Sequence, residues 1–154
     1  MTPIKVSLSR LDKIQSNVVK AMGRTKDRIW FNSIDIEKAY QYVIEEAAFV
    51  NRDGVVFFIY DKMSLKKFVL KRDNNICKYC GEIGTTVDHI VPRAQGGLST
   101  PKNLTCACQN CNVLKGSLEV ETFKFLLLEW KKFPGFKFQT VIKEYQQQLQ
   151  SMMG

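Results

Sequence analysis

At 154 residues, with 45% hydrophobic and 25% charged side chains, the chain has the length of one domain plus modest additions and enough apolar material for a core. No stretch approaches the roughly 18 consecutive apolar residues of a membrane span, and MTPIKVSLSR at the amino end has no apolar run of secretory-signal length, so a cytoplasmic protein with no membrane partner is expected. A net charge of +8 and a pI near 9.3 leave the fold open but favour polyanionic partners, nucleic acid first.

Residues 1–32 are polar and basic, with Lys5, Arg10, Lys13, Lys20, Arg24, Lys26 and Arg28 set against Asp12 and Asp27. Leu8, Leu11, Ile14, Val18 and Met22 recur at steps of three or four, which predicts a helix over 9–22 stopped at Gly23. This arm reads equally as a grip on a DNA backbone and as an amphipathic helix packed on its neighbours. Residues 33–50 repeat the helical period through Ile36, Ala39, Tyr40, Val43, Ala47 and Val50, with Ser33 or Asp35 as cap. Glu37, Glu45 and Glu46 make that segment acidic and argue against a DNA-facing role. Asn51-Arg52-Asp53-Gly54 reads as a turn and Val55–Tyr60 as a buried strand.

Ser64 offers a cap to a helix over 65–72 with Leu65, Phe68 and Val69 inward, and Asp73-Asn74-Asn75 turns the chain into its cysteine-rich part. Four of the five cysteines form two Cys-x-x-Cys pairs, Cys77/Cys80 and Cys108/Cys111. An odd count and this spacing suit a tetrahedral structural Zn²⁺ in a reducing compartment better than a disulfide framework. A redox dithiol would need only one such pair. Cys106 alternates with Cys108 on one strand and is expected to be a small core residue rather than a fifth ligand. Between the pairs, 85–91 has strand composition, Gln95-Gly96-Gly97 is a loop, 103–108 is a second strand and 109–116 a short helix, giving a ββα unit. Asp88 and Asn112 offer hard oxygen of the kind Mg²⁺, Mn²⁺ or Ca²⁺ takes. His89, the only histidine, has an ordinary pKa of about 6.5 and suits a general base. Val120, Phe123, Leu126, Leu127 and Trp130 then predict a helix over 119–132 ended by Pro134-Gly135. Phe138, Val141, Ile142, Tyr145 and Leu149 predict another over 137–150, with fraying at Met152-Met153-Gly154.

Taken together, Arg72-Asp73, Cys77-x-x-Cys80-Gly81, Asp88-His89-Ile90-Val91-Pro92, Gly96-Gly97, Asn103-Leu104 and Cys108-x-x-Cys111-Asn112-x-x-Lys115-Gly116 resemble an HNH nuclease domain of the ββα-metal type, in its four-cysteine zinc form. The resemblance implies an α+β fold: a zinc-stabilised ββα-metal HNH core with helical N- and C-terminal additions. It implies that His89 is the general base, that Asn103 fixes the loop and orients the histidine, and that Asp88 and Asn112 hold the catalytic ion. The third family position is often histidine. Asn112 stands there instead, supplies oxygen for nitrogen and tilts the ion toward Mg²⁺ or Mn²⁺. Arg93 and Lys115 either neutralise DNA phosphates beside the scissile one or are solvated surface charge.

These readings divide the chain into a basic arm with a helix–strand scaffold (1–63), the nuclease domain (64–118) and C-terminal helices packing on the core (119–154). The expected activity is metal-dependent hydrolysis of phosphodiester bonds in double-stranded DNA, nicking it or cutting both strands, by a monomer or homodimer. The competing reading is a catalytically inactive zinc-ribbon module that binds nucleic acid. Binding alone needs none of the set Asp88, His89, Asn103 and Asn112.

Overall fold

In the computed structural model, which describes residues 2–153, residues 3–35 form a helix and a hairpin instead of one helix over 9–22. Helix α1 spans Pro3–Leu11, with proline at its first position and the Thr2 hydroxyl accepting from the Lys5 amide. Strands β1 (Val18–Arg24) and β2 (Ile29–Asp35) follow, their turn closed by the Thr25 amide on the Arg28 carbonyl at 2.8 Å. From residue 18 the period is two: Val19, Ala21 and Gly23 are buried, while Val18, Lys20 and Arg24 are exposed. Gly23 is therefore no helix stop. It lies opposite Trp30, whose indole occupies the space a Cβ at residue 23 would need, 2.2 Å from Cζ2.

Helix α2 (Ile36–Ile44) is shorter than expected, with Asp35 at its cap position; Ala47 and Val50 lie beyond it, Val50 in strand β3 (Ala48–Val50). Strand β4 (Val56–Phe58) completes a sheet in the order β2-β1-β4-β3, in which only β1 and β4 run parallel. Leu11, Val19, Ala21, Ala39, Val43, Ala48, Val50 and Val56 form the core beneath α1 and α2. Arg10 and Ser7 of α1 fasten the end of β3, through the Val50 carbonyl (2.6 Å) and amide (3.1 Å) respectively.

Helix α3 (Lys62–Arg72) is capped by Asp61, with Ser64 as the reciprocal member of a capping box. Leu65 and Val69 face inward as expected, whereas Phe68 is exposed and leans on Tyr60. Asn74 and Asn75 both take left-handed backbone conformations, which asparagine tolerates. The expected ββα unit follows: β5 (Thr86–His89) antiparallel to β6 (Leu104–Ala107), pairing Asp88 with Thr105 and His89 with Leu104, and then α4 (Gln109–Lys115). Helices α5 (Val120–Lys132) and α6 (Phe138–Met153) bring Phe123, Leu126, Leu127 and Phe138 against Cys77, Ala107 and Cys111. The side chain of Leu149 and residue Gly154 lie outside what is described. The architecture is α+β with helical flanks around the ββα unit, and no described helix is long and apolar enough to cross a membrane.

Candidate active site

The sulfurs of Cys77, Cys80, Cys108 and Cys111 all lie within 4.8 Å of one another. Zn–S bonds of about 2.3 Å at tetrahedral angles place sulfurs about 3.8 Å apart, and the Cys80–Cys108 pair stands at 3.7 Å. The donor set fits zinc. Local structure makes each half of the site: the Gly81 amide turns back on the Cys77 carbonyl, with Gly81 left-handed, and Cys108 caps α4 with its sulfur accepting from the Cys111 amide. Burial pushes the Cys77 thiol up, but amides of Cys108, Cys80 and Tyr79 outweigh it and bring the group down to about 7. Burial, then the neighbouring Cys108 and Cys80 thiols, raises Cys111. Thiolates this close need a cation among them. Cys106 stays outside the cluster, fully buried with its sulfur over Gly84.

One turn of α4 beyond the cysteines, Lys115 reaches back under the sheet. Its side chain is 0% exposed, and its ammonium lies 3.0 Å from Asp88 Oδ2 and 2.8 Å from the His89 carbonyl. Read from the sequence as a phosphate contact or solvated charge, Lys115 is in fact an interior residue: its long stem follows the β5–α4 interface and its charge is spent on Asp88. The Tyr79 hydroxyl donates to the same carboxylate oxygen at 2.5 Å. Asp88 Oδ2 thus receives two donors, one of them charged. Asn112 spends its amide nitrogen on Thr86 Oγ1 (3.0 Å) and the Val87 carbonyl (3.2 Å), which ties α4 to β5.

His89, half-buried at the end of β5, has Nε2 3.0 Å from Ser99 Oγ. Desolvation, then the charge of Arg93, holds its pKa below the ordinary histidine value, with Asp88 pulling the other way. The net direction favours the neutral ring. Arg93 is exposed on the following turn. Asn103 is buried, its Oδ1 accepting from the Val91 amide (2.9 Å) and its Nδ2 donating to the carbonyls of Leu98 (2.8 Å) and Val91 (3.2 Å). It clamps the loop that follows His89, and the imidazole partner is Ser99. Gly97 crosses directly over Val91, where a Cβ would come 1.8 Å from the carbonyl oxygen, so the second glycine of the loop is a packing requirement.

Residues 77–118 match the family model for HNH endonuclease. This segment is an HNH domain. No curated protein matches the chain.

Four residues in or beside the HNH domain carried no separate role in the sequence. Tyr79 sits between two zinc-site cysteines, its ring edge-on to Phe123 of α5 at 5.1 Å, and so links the C-terminal helices to Asp88. Its position in C-K-Y-C was the available signal, because a buried tyrosine hydroxyl needs a partner. Ser99 had no signal beyond lying in the loop. Arg72 and Asp73 form a two-bond pair at 2.7 and 2.9 Å. Arg72 also donates to the carbonyls of Leu104 (2.8 Å) and Pro101, and Asp73 accepts from the Cys106 amide (2.8 Å), so the pair fastens α3 to β6.

Proposed function

We propose that this chain is a metal-dependent endonuclease that hydrolyses phosphodiester bonds in double-stranded DNA, with His89 as general base. The observation that carries the reading is the setting of His89. An imidazole with one nitrogen on Ser99 and its own backbone carbonyl on the buried Lys115, in surroundings that lower its pKa, stands in the middle of an HNH domain. With the ring proton on Nε2 and donated to Ser99 Oγ, the lone pair of Nδ1 takes the proton of an attacking water. Asn103 keeps the loop 91–98 in place and so fixes the ground on which the ring stands. Arg93 meets a DNA phosphate beside the scissile one.

The oxygens for a catalytic ion are Asp88 Oδ1, since Oδ2 is taken by Tyr79 and Lys115, and Asn112 Oδ1, since the amide nitrogen is spent on β5. One carboxylate and one amide oxygen, with phosphate and water completing the shell, suit Mg²⁺ or Mn²⁺. Bound there, the ion would supply positive charge to the phosphoryl oxygens and the leaving group. The four cysteines hold a structural Zn²⁺, whose work is to keep Asn112 in register immediately after Cys111.

The test is supercoiled plasmid with zinc-loaded protein and Mg²⁺ or Mn²⁺. Nicked or linear product is expected, and His89→Ala should lower the rate by at least about a hundredfold while keeping its zinc. Equal cleavage by His89→Ala would remove the histidine from the chemistry. A zinc-loaded wild-type protein that retards DNA yet never cuts it would instead make the domain a catalytically inactive binding module.

A further inference from the structure

The four-stranded sheet has two unlike faces. One lies under α1 and α2, and no described element covers the other. The register decides what the uncovered face presents. Phe31 of β2 pairs with Met22 of β1, Met22 with Phe57 of β4, and Phe57 with Phe49 of β3. Cross-strand partners share a face, so these four side chains form one row across the whole sheet. Phe31 is 76% exposed and Phe49 45%. The Phe49 and Phe57 rings stack at 5.3 Å with only 15° between their planes, and a shallow concavity lies between Phe57 and Phe31. A lone exposed phenylalanine is ordinary, but a registered apolar row marks a contact surface.

Charge narrows the occupant. Lys20 and Arg24 flank Met22 on the same face by alternation and are exposed, with Lys26 and Arg28 in the turn beyond. Asp35 shares the face but is paired with Lys38 at 3.3 Å. A second copy docking here about a two-fold axis would bring the same cations, Lys20 and Arg24, into the interface twice over. Exposed rings rimmed by cations fit a polyanion that carries flat apolar groups of its own. In a duplex those groups are stacked and out of reach, and only unpaired bases can offer a face to a ring on a sheet. Phe31 and Phe57 stand two strands apart, about 10 Å, which leaves each room for its own base.

We propose that the open face of this sheet is a binding platform for unpaired bases of a DNA strand, with Phe31 and Phe57 as the stacking rings and Lys20 and Arg24 as phosphate contacts. The choice of DNA over RNA rests on the endonuclease reading. The platform itself uses none of the HNH residues, so a strand held there and a duplex held at His89 engage different elements of the chain.

The experiment measures fluorescence anisotropy of labelled oligothymidylate, a duplex of equal length and oligouridylate, with His89→Ala protein so that nothing is cut. Adding Phe31→Ala should weaken oligothymidylate binding about fivefold or more while moving duplex affinity by less than about twofold. Phe31→Trp should restore the lost affinity, which a general disturbance of the sheet would not allow. Unchanged oligothymidylate binding in Phe31→Ala, or an equal loss on duplex, overturns the platform. Tighter binding of oligouridylate overturns the assignment to DNA. A dimer in sedimentation that Phe31→Ala dissociates would show that a second copy covers the face instead. None of these readings requires cleavage, so they stand if the plasmid assay fails. Conversely, if they fail, plasmid cutting by the wild-type chain is untouched.

Discussion

Around Val50 and Val56 the buried side chains are aliphatic, and the one buried polar group of that half among the described residues, Ser7, holds the end of a strand. Around Thr105 the interior is another material: Asp88, Thr100, Asn103 and Lys115 are all buried, and beside them four cysteines converge. The first half coheres by removing apolar surface from water, which is non-directional. The second depends on partners with fixed geometry, each costly to leave unpaired. Adaptable packing suits a half whose proposed part is a surface, while directional bonds suit one proposed to hold an imidazole and two oxygens in place.

The largest effect should come from the metal. Structural zinc in small domains contributes about 10–16 kcal/mol of apparent binding energy that is also folding energy, far more than the apolar contacts of β5, β6 and α4 can replace. Cys80→Ser is expected to lose zinc and to abolish hydrogen-exchange protection in β5, β6 and α4 while β1 and β4 keep theirs. Zinc at full stoichiometry in that variant would refute the ligand set. Protection lost from both halves together would show one cooperative unit and dissolve the contrast.

That contrast also explains what could be read in advance. The cysteine pairs, Asp88-His89, Asn103 and Asn112 are chemically committed residues at short spacings, so the ββα unit and its zinc cluster were legible nearly to the residue. The sheet was not. Its central contact sets Ala21 and Met22 beside Val56 and Phe57, a parallel pairing whose signal is in neither segment alone. Leu8, Leu11, Ile14, Val18 and Met22 imitate a helical period across what is a helix end followed by a strand start. The β-branched pair Val18-Val19 and the glycine opposite Trp30 were the local signs of strand. Lys115 was misplaced for a different reason: lysine is almost never fully buried unless paired, and its partner lies 27 positions back in the chain.

Lys115 gives the next largest effect. With its ammonium gone, Asp88 keeps a buried carboxylate and only the Tyr79 hydroxyl for company. Breaking one side of a buried pair costs about 3–5 kcal/mol, so Lys115→Met should lower the urea midpoint of the zinc-loaded protein steeply, with zinc retained. Adding Asp88→Leu to that variant should recover much of the loss, because the uncompensated charge goes with it. A change below about 1 kcal/mol for Lys115→Met would mean the pair behaves as a surface one.

The smallest effect belongs to the seam. Where α2 ends, Glu46 takes a left-handed conformation, and the loop before β6 meets it: Thr100 donates to Glu45, and Lys102 reaches the Ile44 carbonyl at 2.8 Å and Glu46 at 3.1 Å. Lys102 and Glu46 are both about half exposed, so water screens the pair, and exposed ion pairs contribute only about 0.2–1 kcal/mol. The cation also faces the negative end of α2, which adds little at that exposure. Lys102→Met should therefore cost less than about 1 kcal/mol, and raising the salt should shrink the difference from wild type. A larger, salt-independent loss would mean that the two halves share stability through this seam. It would then be hard to see how zinc removal could melt one half and spare the other. The buried contact of α3 with β6, where Leu65 and Val69 meet Leu104, does not cross between the halves. It belongs to the HNH side of the seam, so cutting the seam should leave the ββα unit intact and free only the sheet.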